Sequence, residues 1–68
     1  MMKWNKVIDA DLQYVKSFAV GSLSGRELYN RAMECGYSAA VRMGLRKHGV
    51  VYLRRLARKA LRRRGVNV

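Results

Sequence analysis

The segment Leu53–Arg64, LRRLARKALRRR, combines the spacing of a packed helix with a high positive charge. Its Leu and Ala residues recur at three- and four-residue intervals, which predicts an amphipathic helix held to its neighbours by one apolar stripe. That stripe consists of Leu53, Leu56, Ala57, Ala60 and Leu61. The other seven residues are six Arg and one Lys, with no acid among them. We therefore predict a helix over Val50–Arg64 that packs on the rest of the chain and exposes cations.

Glycine and capping residues divide the upstream chain into further helices. Asp9 or Asp11 can cap a first helix that ends near Gly21. Residues 24–27, SGRE, have the form of a capping box that begins a second helix, and Gly36 supplies the left-handed residue that ends it. The apolar positions expected to pack in these two helices are Leu12, Val15, Phe18, Ala19, Leu28, Ala32 and Met33.

A third helix is predicted over residues 39–48, between Ser38 as its N-cap and Gly49 at its end. Val41 and Leu45 form its apolar pair. The expectation is one all-α domain over residues 1–68, a small bundle of three to four short helices with a long basic C-terminal helix. Residues 1–8 and 66–68 are expected to be a frayed lead and a frayed tail.

The charge is concentrated in the second half of the chain. The 68 residues carry a formal net charge of +11. All four acids lie in residues 1–34 beside five cations, whereas residues 35–68 hold ten cations and no acid. Like charges one helical turn apart destabilise a helix, so a helix that was merely solvated would be expected to contain glutamates as well. This asymmetry predicts a polyanionic partner.

Residues 28–45, LYNRAMECGYSAAVRMGL, resemble a helix-turn-helix. A small residue, Ala32, lies four positions before the turn glycine Gly36, and the apolar Tyr37 follows it. The sequence departs from the motif at Arg42, where an apolar residue is usual. The resemblance implies that residues 39–48 form a DNA-recognition helix, with Ser38, Ala39 and Arg42 close to base edges. Tyr37 is the aromatic side chain expected to touch nucleic acid.

The predicted function is a small basic nucleic-acid-binding protein, a DNA-binding regulator or an architectural factor. Arginine dominates residues 53–64, and its planar guanidinium matches phosphate oxygens bidentately. The residues predicted to contact nucleic acid are Ser38, Arg42, Arg46, Lys47, Arg54, Arg55, Arg58, Lys59, Arg62, Arg63 and Arg64. DNA is preferred to RNA, although a single arginine-rich helix can also enter a distorted RNA groove. A homodimer that binds two half-sites would suit so small a unit.

The alternative is an interaction protein, of the size common among phage and plasmid accessory proteins, whose basic helix binds an acidic host protein. Membrane binding is disfavoured because the apolar stripe is narrow and rich in Ala. An enzyme is not expected, since the chain has one His and no glycine-rich phosphate loop. One Cys and one His predict neither an internal disulfide nor a zinc site, and no cofactor is expected. The absence of a signal-peptide pattern predicts a cytoplasmic location.

Overall fold

Residues 4–68, which the computed structural model describes, form an all-α bundle without a β-strand. The helices are α1, Trp4–Ala10; α2, Leu12–Ala19; α3, Gly25–Cys35; and α4, Ser38–Arg63. The all-α class is as predicted, but the division into helices differs from the prediction at the N-terminal end of the chain.

All four helices contribute to one apolar core. The core residues of α4 follow the predicted stripe, with Leu53, Ala57 and Leu61 fully buried and one turn apart. The buried hydrophobic residues are Trp4, Val7, Ile8, Val15, Phe18, Ala19, Leu28, Ala32, Tyr37, Val41, Leu53, Ala57 and Leu61. Two predicted core residues lie outside, since Leu12 is 38% and Met33 60% exposed.

The predicted lead segment contains helix α1, and this helix is part of the core. Trp4, Val7 and Ile8 are all buried. The Trp4 ring stacks on Phe18, with 6.3 Å between ring centroids and 21° between the planes. A helix of seven residues is marginal in isolation, so α1 needs tertiary contacts to form. Burial against α2 and α4 supplies the stabilisation that the local sequence lacks. Residues 1–3 lie outside the described range.

The predicted caps of α2 and α3 are present. Asp11 is the N-cap of α2, where its carboxylate accepts a hydrogen bond from the Tyr14 amide at 3.4 Å. At α3 the Glu27 amide donates to Ser24 Oγ at 3.2 Å, and the Ser24 amide donates to Glu27 Oε1 at 3.3 Å. Gly36 ends α3 in the left-handed conformation, with φ 81° and ψ 13°. The capping box and the turn glycine are therefore confirmed.

The two helices predicted on either side of Gly49 are present as the two halves of α4, which meet at a kink. Gly49 has φ 76° and ψ 164°, which is not helical, yet helix resumes immediately after it. The His48 and Tyr52 rings span this position, with 5.1 Å between centroids. The prediction that Ser38 is the N-cap is wrong. The N-cap of α4 is Tyr37, which forms no side-chain cap bond, and Ser38 is the first helical residue.

The C-terminal tail folds back onto the bundle. Val66 and Val68 are half-buried against the core. The Val66 amide donates to Leu61 O at 3.0 Å, and Arg62 Nε donates to Val68 O at 2.9 Å. Apolar contact and two hydrogen bonds thus hold residues that the sequence suggested were frayed.

Replacing Gly49 with Ala tests the kink. Positive φ with ψ near 180° is essentially restricted to glycine, whereas L-residues enter the left-handed region of Gly36 at lower cost. A methyl group at either glycine would meet no described residue within 4 Å other than its two chain neighbours, so the cost is conformational at both. We expect Gly49→Ala to lower the free energy of unfolding by about 2 to 3 kcal/mol and Gly36→Ala by about 1 kcal/mol. Urea unfolding measures both; equal losses would contradict this account of Gly49.

Candidate nucleic-acid interface

Arg54, one of the predicted phosphate contacts, has a structural role. Its Nε donates to Phe18 O at 3.1 Å and its Nη2 donates to Leu23 O at 2.8 Å. Its guanidinium also lies over the Phe18 ring, 5.2 Å from the centroid. Since Phe18 is fully buried in the core, Arg54 joins α4 to the end of α2 and to the following turn.

Arg58 repeats this contact one turn later. Its Nη1 donates to Ala19 O at 2.9 Å. Phe18 and Ala19 are the last two residues of α2, and the last carbonyls of a helix lack intrahelical partners and carry partial negative charge. Arg54 and Arg58 therefore stabilise the C-terminus of α2, and we remove both from the set of free phosphate ligands.

The spacing of Arg54 and Arg58 from the apolar stripe could have predicted this structural role. Arg54 precedes the buried Leu61 by seven residues, about two helical turns, so both lie on the same face of α4. Arg58 lies three residues before Leu61 and is also half-buried. A cation on the packed face of a helix finds an acceptor within the protein, and here the acceptors are backbone carbonyls that a sequence does not display.

Two further predicted residues, Arg62 and Arg64, also bind within the chain while remaining exposed. Arg62 donates to the Val68 carbonyl, as described above. Arg64 Nη2 lies 2.5 Å from Asp9 Oδ1, and its Nη1 donates to Asn5 O at 3.2 Å. The carboxylate compensates the charge of Arg64 and connects the end of α4 to α1.

Three predicted residues remain as a row of free cations on the second half of α4. Arg55, Lys59 and Arg63 are exposed and lie four residues apart. None of them forms an ion pair or a side-chain hydrogen bond with residues 4–68. We call these three residues the C-terminal basic row. Their spacing places them on one face, about one turn apart.

The other predicted residues lie around a groove between α3 and the first half of α4. This α3–α4 groove has a volume of about 490 Å³ and is lined by Tyr29, Ser38, Ala39, Arg42, Met43 and Arg46. Arg42 and Arg46 are exposed one turn apart, and Met43 between them is 67% exposed. Lys47 is exposed beside this groove without lining it. Tyr29 and Met43 were not predicted, since nothing in the sequence distinguishes them from core residues.

Tyr37 cannot make the predicted contact in this conformation. It is only 8% exposed, and its hydroxyl is buried without a hydrogen-bond partner among the described residues. Burial raises the pKa of the Tyr37 hydroxyl to about 12. Its ring packs in the turn between α3 and α4, so its role is in the core.

None of the four acids pairs with the C-terminal basic row or with the cations of the α3–α4 groove. Asp11 Oδ2 lies 2.6 Å from Arg31 Nε, and Glu34 Oε2 lies 2.8 Å from Arg31 Nη1. The hydrogen bond from Arg31 to Asp11, followed by that to Glu34, raises the pKa of the Arg31 guanidinium. Asp9 pairs with Arg64, and Glu27 belongs to the capping box. The basic row and the cations of the α3–α4 groove therefore have no carboxylate partner within residues 4–68.

Comparison with models of protein families, with curated proteins and with solved structures finds no match to this chain. Among the described residues, no helix has the length and apolar character needed to cross a membrane.

A pair of substitutions separates the packed cations from the free ones. Arg54→Gln removes two hydrogen bonds from a charged donor to core carbonyls, and we expect it to lower the free energy of unfolding by about 2 kcal/mol. Arg55→Gln removes the same charge from the adjacent exposed position and is expected to change stability by less than about 0.5 kcal/mol. Thermal and urea unfolding of both variants measure the contrast. Similar losses in both would rule out the structural role of Arg54.

Proposed function

We propose that this chain is a small DNA-binding protein. The first half of α4 lies in the major groove with the cations of the α3–α4 groove facing base edges. The C-terminal basic row contacts the phosphate backbone. In this arrangement Arg42 contacts a base. Arg55, Lys59 and Arg63 contact phosphates, which adds affinity that does not depend on the DNA sequence.

The observation that carries the proposal is the isolation of these cations from the acids of the chain. A protein that used its acids to solubilise α4 would place them beside these free cations, yet the four acids are engaged with Arg31, with Arg64 or in a capping box. The mutual repulsion within α4 is relieved when phosphates approach, and the condensed counterions that they release favour binding.

DNA is favoured over RNA by the pair of helices α3 and α4. The short turn at Gly36 and Tyr37 joins them as the resemblance implies, and the second helix exposes Arg42 and Arg46 on its outer face. The major groove of B-DNA is wide enough to admit an α-helix, whereas that of A-form RNA is too deep and narrow for side chains to contact bases.

The salt dependence of binding tests the phosphate contacts. If Lys47 and the three residues of the basic row each neutralise one phosphate, log K should fall with log salt with a slope of roughly −3.5. The triple variant Arg55→Gln, Lys59→Gln and Arg63→Gln should flatten this slope by about 2.5 to 3 units. Fluorescence anisotropy of a labelled random duplex, from 50 to about 300 mM salt, measures both.

The matched control removes the same charge elsewhere. Lys6, Lys16 and Arg26 lie outside α4, and the triple Gln variant at these positions should keep a slope close to that of the unmodified protein. Circular dichroism establishes that both triple variants are folded. The proposal fails if the two variants flatten the slope equally, or if the unmodified protein binds no duplex at 50 mM salt. An acidic protein would then be the polyanionic partner to pursue.

Base contact is tested separately from phosphate contact. A preferred duplex is first selected from a randomised library, and each variant is then measured on that site and on random duplex. Arg42→Gln should lose about 1 to 3 kcal/mol of discrimination between them, the magnitude of one good base contact. Arg63→Gln should weaken both affinities by the same factor. A uniform loss in Arg42→Gln as well would show that α4 does not contact bases.

A further inference from the structure

A second groove lies between α1 and the end of α4. It has a volume of about 460 Å³, and its lining combines an apolar wall with cations. The wall is formed by Trp4, Leu56 and Ala60, and the cations are Lys59, Arg63 and Arg64. We call this the α1–α4 groove. Two residues of the C-terminal basic row, Lys59 and Arg63, thus line the same groove.

The charge in this groove is uncompensated. Arg64 is paired with Asp9, but Lys59 and Arg63 have no acidic partner within residues 4–68 and lie one turn apart. The lining contains no carboxylate. Like charges at this spacing disfavour the helix by a few tenths of a kcal/mol. An anion between them removes that repulsion and accepts hydrogen bonds from both side chains.

The Trp4 indole is a second, independent observation at the same place. The residue is 7% exposed, and its Nε1 is buried without an acceptor among the described residues. A buried Trp N–H usually has a partner, and leaving it unpaired is unfavourable. The unpaired N–H thus belongs to a side chain that lines the groove, where a bound ligand would contact its ring.

We infer that the α1–α4 groove is a binding site for one phosphate of a nucleic-acid backbone. Lys59 and Arg63 contact the phosphate oxygens, and the apolar wall of Trp4 and Leu56 contacts the adjoining sugar. Nucleic acid as the source of the phosphate rests on the proposed function. A guanidinium beside an ammonium suits the several oxygens of a phosphate, and the apolar wall suits a ligand whose anion is attached to a less polar group.

The experiment uses Trp4 itself, the single tryptophan of the chain, as the reporter. Its emission is recorded while the full chain is titrated with sodium tripolyphosphate and, separately, with a duplex of about one helical turn. We expect both ligands to change the emission. Lys59→Gln combined with Arg63→Gln should raise the tripolyphosphate concentration at half response at least about tenfold. Lys16→Gln combined with Arg26→Gln, which removes equal charge far along the sequence, should respond as the unmodified protein does.

The outcomes separate this inference from the proposed function. Duplex binding seen by anisotropy without any change in Trp4 emission would overturn the α1–α4 site and leave the proposed function standing. A response to tripolyphosphate without duplex binding would overturn nucleic acid as its source. An equal loss of response in both double variants would reduce the site to general attraction of anions. A stronger response to a glutamate peptide of matched charge would replace phosphate with a carboxylate ligand.

Discussion

The contact of Arg54 and Arg58 with the carbonyl end of α2 determines what the rest of α4 can do. These guanidinium groups donate hydrogen bonds to the carbonyls of Phe18 and Ala19 at the end of α2, where the helix carries partial negative charge. Because Arg54 and Arg58 hold α4 against α2 from the same face as the buried Leu53 stripe, the cations of the opposite face are turned outward. The C-terminal basic row is the face that remains after packing and helix capping are satisfied.

Free cations remain on α4 because the acids of the chain pair with other groups. Arg31 forms ion pairs with Asp11 and Glu34, and its guanidinium lies over the Tyr14 ring, 4.8 Å from the centroid. These contacts join α3 to α2. Arg64 uses Asp9 to connect α4 with α1. With the acids assigned to these contacts, the exposed surface of α4 keeps its full positive charge. This charge borders a concavity at the α3–α4 groove and at the α1–α4 groove.

Local signals predicted the parts of the fold that local chemistry determines. The Ser24–Glu27 box, the turn at Gly36 and the stripe through Leu53 each depend on a few neighbouring residues, and each is present. Helix α1 could not be predicted in the same way, because its stability comes from burying Trp4 against Phe18 in another helix. The roles of Arg54 and Arg58 depend on carbonyls more than thirty residues away. The candidate site was predicted as a set of cations, but which of them are free is a tertiary property.

The kink at Gly49 separates the two halves of α4 in register. In an unbroken helix, inserting or deleting one residue rotates everything beyond it by about 100° relative to what precedes it. Here the second half is oriented by its own contacts, Leu53 in the core and Arg54 on α2, and not by the turn before it. An insertion or deletion within residues 38–48 can therefore change the surface that they present without rotating the C-terminal basic row. One chain can in this way alter what its first half contacts while keeping the second half unchanged.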